Sequence, residues 1–272
     1  MKRNAEVYKI TSTAFLMALA ILFSRIPFLS TYINIGGYNL VKIGFQEVPL
    51  MIVCLYNGPL YSLVCSFGAD LLAATIFPTG GAFFPGFTLD AMILGLIPSL
   101  YIKSFKGKKN AHLISFISFL CIVFSLSVFF ISKHDKIKIG SFSLEINILW
   151  KMFIIFLLIS ISILFYILFS LDFPKKRKGF FINRDIFMCF FIRDVLLAPV
   201  LVPIWLDILY SVPYGISYFS QLISKMITLP ILCLITILVS KPLERVTKNL
   251  LLDTYEEKNI FYNRLINGKK IS

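Results

Sequence analysis

Residues 111–132 hold no acidic or basic side chain apart from His112. Wound into a helix, such a run is about 33 Å long, enough to cross the roughly 30 Å hydrocarbon core of a bilayer. Comparable apolar stretches recur along the chain, which is 58% hydrophobic and only 15% charged. A water-soluble domain of this size needs more polar surface than that. Inside lipid the backbone must satisfy its own hydrogen bonds, so the expected fold is an all-α integral membrane protein.

The net charge of +13, from 27 Lys and Arg against 14 Asp and Glu, would point to nucleic acid in a soluble protein. Its placement decides otherwise. Three basic residues fall in 1–9, four in 103–109, five in 175–184 and seven after 240. Basic clusters between apolar runs set orientation by the positive-inside rule. With the N-terminus cytoplasmic, about eight spans bring all four clusters and the C-terminus to the cytoplasmic side. Lys133, Lys136 and Lys138 fall outside and are the exception. The five cysteines sit singly in apolar runs, with no CxxC pair, and read as buried small side chains. The first apolar run is interrupted by Arg25 and reads as a retained helix.

Gly and Pro punctuation places the spans at about 10–29, 41–56, 59–77, 87–102, 111–132, 147–171, 186–210 and 216–240. Residues 30–40 are expected as a polar loop, Asn57-Gly58-Pro59 as a turn, and 241–272 as an amphipathic cytoplasmic tail on the membrane surface. Ionisable groups at membrane depth are costly and tend to be paired or functional. They are Arg25, Lys42, Glu47, Asp70, Asp90, Lys151, Arg193, Asp194, Asp207 and Lys225. Asp70 lies mid-helix and is expected to meet a cation, Arg25 for example, or a ligand. Lys225 is the second functional candidate. Asp90 is read as an acid at the start of a helix, where the helix dipole favours it. Arg193 and Asp194 are adjacent and so point in different directions, Arg193 marking the inner end of its helix.

Between Asp70 and Asp90 lies Phe77-Pro-Thr-Gly-Gly-Ala-Phe-Phe-Pro-Gly-Phe-Thr88. Glycines and prolines shape its backbone, and four phenylalanines give it more aromatic surface than a plain connection needs. It is either a lid for something flat or an interfacial turn, where aromatics also gather. Gly58, Ser62 and Ser66 recur every four residues and give that helix a flat face for close packing, and Ala14 and Ala18 repeat the spacing.

Together, Lys42-Ile-Gly-Phe45, Pro49, Gly58-Pro59, Asp70, the 77–88 stretch and Gly95 resemble the substrate-binding S-component of energy-coupling factor (ECF) vitamin transporters, the folate type most closely. The resemblance covers 10–102 and, more weakly, 198–240. It implies a six-helix S-component-like bundle formed by 10–102 and 186–240, with 111–171 as an inserted helix pair, all in one transmembrane domain. It also implies capture of folate or a related pterin outside a bacterial cell membrane. Delivery inward would use a shared transmembrane coupling protein and two cytoplasmic ATPases, which use the ATP; the chain itself needs no cofactor. Its binding residues would be Arg25, Lys42, Phe45, Asp70, Thr79, Gly80, Phe84, Pro85, Thr88, Trp205, Gln221 and Lys225, and Ala14 and Ala18 would dock the coupling protein. A flat pterin suits aromatic contacts and an amide or carboxylate edge, and a glutamate tail suits cations.

The chain departs from the family in places. Gln221 and Ser224 stand where the family has an Arg followed three residues later by Lys, with Lys225 one position on. Asp90 stands where a small or hydroxyl residue is usual. Another vitamin, such as riboflavin, thiamine or a precursor, is therefore the alternative ligand. An intramembrane enzyme is the distant alternative. The chain has two histidines, His112 and His134, no paired acidic motif and no phosphate-cradling Gly-rich loop, so it reads as a non-enzyme.

Overall fold

The computed structural model describes residues 2–26, 30–35, 38–76, 83–105, 108–133, 137–139, 142–144, 148–170 and 183–268. The chain opens with α1 (Lys2–Arg25), followed by an antiparallel hairpin of β1 (Ser30–Ile35) and β2 (Tyr38–Gly44). Then come α2 (Glu47–Tyr56), α3 (Pro59–Ile76), α4 (Pro85–Phe105) and α5 (Lys109–Lys133). A second small hairpin, β3 (Ile137–Ile139) and β4 (Phe142–Leu144), leads to α6 (Ile148–Ser170). The next column joins α7 (Asn183–Phe190), a π-helical segment (Phe191–Leu197) and α8 (Ala198–Tyr210) end to end. Last is α9 (Tyr214–Gly268).

The all-helical membrane architecture expected from the sequence is present, with two short hairpins added at its connections. Among the described residues six stretches are long and apolar enough to cross a membrane: Glu6–Arg25, Pro59–Ile76, Pro85–Phe105, Asn110–Phe129, Asn183–Tyr210 and Tyr214–Ser240. The second expected span is different. Residues 41–44 belong to β2, and α2 begins only at Glu47. Ten residues rise about 15 Å, half the bilayer core. The local cause is the 38–44 run Tyr-Asn-Leu-Val-Lys-Ile-Gly, in which Tyr38, Val41 and Ile43 favour a strand and Asn39 and Lys42 interrupt the apolar run. Residues 30–40, expected as a loop, accordingly lie largely in this hairpin, and β2 rests against α9. At the other end, α9 does not stop near 240 but continues helically to Gly268.

The column α7–π–α8 is the centre of the molecule. Every residue from Arg184 to Val195 is buried, against α2, α4, α5, α6 and α9. By contrast α1 turns a large apolar surface outward, with Phe15 68% and Leu22 59% exposed, as a lipid-facing helix should. Gly58 takes a positive φ of 96° in the turn between α2 and α3, which few side chains tolerate. The small-residue face of α3 packs on α4: Ser62 Oγ donates to the Gly95 carbonyl at 2.8 Å, and a Cβ at Gly95 would collide with Ser66.

Helices α5 and α6, expected from the family resemblance as an inserted pair, lie against the central column and α9. Phe116 of α5 stacks on Tyr166 of α6 at 4.2 Å, and Phe187 of α7 stacks on Phe169 at 5.4 Å. At the N-terminal end of α5, buried His112 lies 2.8 Å from Asp185 Oδ1 and its Nδ1 lies 2.8 Å from the Tyr101 hydroxyl. Arg184 donates to the Ser170 hydroxyl and carbonyl. An apolar void of about 10 Å³ remains between α5, α6, the π segment and α9, far below the size of a vitamin.

Candidate functional site

The ends of α3, α4 and α8 on one side of the bundle bring together the largest share of the residues singled out from sequence. α4 begins at Pro85, whose missing N–H costs nothing at a helix start, and Phe84 stands just before it. The Phe84 ring meets Trp205 of α8 edge-on at 5.5 Å and Phe87 at 6.0 Å. Gly86 makes this possible: a Cβ there would run into both the Phe84 ring and the Trp205 indole. One turn further along the same face of α4 is Asp90, and between them Thr88 Oγ1 donates to Asp70 Oδ2 of α3 at 2.8 Å. Arg25, at the end of α1, donates through Nη2 to the Ala73 carbonyl, one turn beyond Asp70. Phe84, Pro85, Thr88, Trp205, Asp70 and Arg25 thus surround one end of the bundle.

Asp90 is not a helix-start acid. It is the sixth residue of α4, past the four free N–H groups of the first turn, and only 2% exposed. Neither of its carboxylate oxygens, nor Trp205 Nε1, has a hydrogen-bond partner among the described residues. The Trp205 side chain nonetheless lies beside this carboxylate.

Gln221 and Lys225 fall elsewhere. Both are buried on α9, and Lys225 belongs to a four-charge cluster in the core. Its Nζ donates to Glu47 Oε1 at 2.5 Å and lies 3.6 Å from Asp194 Oδ1. Arg193 Nη1 stands 3.8 Å from Glu47 Oε2 and 3.5 Å from the Glu47 carbonyl. Arg193 and Asp194, expected to diverge, both reach this cluster. They lie in the π-helical segment, whose wider turn alters the angle between successive side chains. Arg193 is therefore interior, with the residue 8% exposed, and does not mark an inner helix end.

Phe45 lies between β2 and α2, partly buried against the core. Lys42 lies in β2, paired with Tyr32 of β1. Thr79 and Gly80, and with them the middle of the 77–88 stretch, lie outside the described residues. Ala14 and Ala18 share an exposed face of α1.

The curated protein relatives agree on one activity. Over 87 residues the chain is 38% identical to a folate transporter, FolT, of Leuconostoc mesenteroides subsp. mesenteroides, covering 32% of this chain and 42% of that one. Over 100 residues it is 33% identical to a folate transporter, FolT, of Clostridium novyi, covering 37% of this chain and 51% of that one. The similarity is to folate transporters. The chain thus spans about half the length of the curated relatives it matches. A solved crystal structure of FolT bound with folic acid aligns over 86% of this chain and 94% of its own at 17% identity, with a TM-score of 0.48. No family model matches the chain.

Three features escaped the reading of the sequence. Glu47, Arg193 and Asp194 are as buried as Lys225, and a charge balance of the membrane-depth residues, two acids against two cations, was the available signal. His112 looked like part of a plain apolar insert, although a lone buried histidine needs polar partners. The unsatisfied Asp90 and Trp205 were not readable, because satisfaction depends on which helices meet.

Proposed function

We propose that this protein is the substrate-binding S-component of an ECF-type transporter in a bacterial cell membrane, capturing folate or a related pterin outside and passing it inward. It acts with a transmembrane coupling protein and two cytoplasmic ATPases and catalyses no reaction itself. The observation that carries the reading is the cluster of Phe84, Trp205, Thr88 and Asp70, which combines aromatic faces with buried polar groups suited to a flat heterocycle. The local similarity to two folate transporters supports the same ligand class. Arg25, Lys42 and Phe45, on or beside the α1–α2 connection, and Thr79, Gly80 and Pro85, in the α3–α4 connection, complete the proposed binding set. Lys225, through the buried charge cluster, and the buried Gln221 on the same helix act from beneath.

Labelled folate should bind saturably to the detergent-purified protein in the absence of any partner. No saturable folate binding alongside tight binding of riboflavin or thiamine would refute the ligand and keep the class. Ala14 and Ala18 form the docking face, in accord with their exposure. Replacing both by Trp should abolish co-purification with the coupling protein and ATPases while vitamin binding persists; survival of both would remove the docking assignment.

A further inference from the structure

Asp90 presents an energetic problem that the described residues do not solve. Its carboxylate is 2% exposed and both oxygens lack a hydrogen bond among the described residues. A buried polar group without a partner costs several kcal/mol, and a charged one more. Other acids at this depth have a partner that Asp90 lacks: Glu47 and Asp194 each leave one oxygen without a hydrogen bond but have a cation within 4 Å, and Asp70 accepts from Thr88. Beside Asp90 stands a second unsatisfied group of the opposite kind, the Trp205 indole N–H, held against α4 because Gly86 has no side chain.

An acceptor pair and a single donor, next to aromatic faces, specify the missing partner. A metal ion or an ammonium would suit the carboxylate but not the indole N–H. Among the described residues no group of three His, Cys, Asp or Glu could hold a metal. A flat ring with two adjacent N–H donors and a nearby ring acceptor suits both. Two parallel N–H bonds to one carboxylate are the strong, geometrically selective arrangement known from Arg–carboxylate pairs. We propose that Asp90 is the selecting carboxylate of this site, accepting the amine and ring N–H of a 2-amino-4-oxopyrimidine edge while Trp205 Nε1 donates to a ring acceptor. This deepens the vitamin-capture reading and rests on it.

The test compares folic acid with its 2-deamino-2-oxo analogue, which keeps the tail but replaces the ring amine by a carbonyl. A carbonyl facing Asp90 sets acceptor against acceptor, and sites built to hydrogen-bond reject such analogues strongly. Wild-type protein in detergent should bind folic acid at least about tenfold more tightly than the analogue. Asp90→Asn, which offers one acceptor and one donor, should bring the two within about threefold. A wild type that binds both equally overturns the role of Asp90 and leaves vitamin capture standing. A wild type that binds neither overturns the proposed function and this assignment with it. Should Asp90→Asn elute as aggregate, Asp90→Ser reads the same ratio, and an undiminished preference in either variant overturns the assignment.

Discussion

Lys225 separates two accounts of α9. If it reaches a ligand, Lys225→Met should abolish vitamin binding and leave the apo-protein as stable as before. The structure argues for the opposite weighting. The ammonium donates to Glu47 at 2.5 Å and lies 3.6 Å from Asp194, in residues that are 5% and 1% exposed. Two carboxylates face two cations; removing Lys225 leaves two carboxylates and Arg193. Breaking a buried ion pair by removing one partner costs about 3–5 kcal/mol, because the remaining charge stays desolvated. On the soluble-protein scale of roughly 2–4 °C per kcal/mol, thermal unfolding of the apo-protein in detergent should fall by about 6 °C or more. The double variant Glu47→Gln, Lys225→Met removes one charge of each sign and leaves Arg193 with Asp194. It should recover about 2 kcal/mol of the loss, a coupling energy of the size found between residues in one network. A Lys225→Met protein as stable as wild type, or a double variant no better than the single one, would refute the structural role.

Two further outcomes probe the scaffold. Gly95→Ala should destabilise the protein by about 1–3 kcal/mol in the same assay, since its Cβ runs into Ser66, and adding Ser66→Gly should restore most of it. His112→Ala should cost about 1–3 kcal/mol by depriving the Tyr101 hydroxyl and Asp185 of a buried partner, yet leave folate affinity unchanged because Tyr101 and Asp185 are not among the proposed vitamin-site residues.

The helices were largely legible because each depends on a property of one segment. The apolar run around 111–132 and Pro59 specify α5 and the start of α3 without reference to the rest of the chain, whereas α4 begins at Pro85, two residues before its expected start. The β1–β2 hairpin was missed because Leu40 to Gly44 is apolar enough to extend a membrane helix, and only its β-branched Val41 and Ile43 speak for a strand. Within the site, the Phe84–Trp205 pair was half legible: the aromatic stretch announced itself, but its meeting with α8 depends on Gly86. The charge cluster was hidden for a different reason. Neighbouring residues on an ordinary helix diverge, and nothing in Phe191–Leu197 declares the π-helical turn that brings Arg193 and Asp194 to one place.

Burial alone therefore does not mark a candidate site in this chain; what each buried charge faces matters as well. The cluster of Glu47, Asp194, Arg193 and Lys225 is deep and highly charged, but its charges balance, and each carboxylate has a cation within 4 Å. Tyr101, His112 and Asp185 likewise meet one another at 2.8 Å. These groups can be understood as fastening α2, α9 and α5 to the central column. Asp90 is buried and Trp205 half-buried, yet neither carboxylate oxygen nor the indole N–H has a hydrogen-bond partner among the described residues. A fold has no structural use for such a pair, since apolar side chains of similar volume would hold α4 and α8 together at lower cost. Beside the Phe84–Trp205 aromatic contact, such a pair fits the proposed binding site, because groups that the fold leaves without partners are those a ligand can engage.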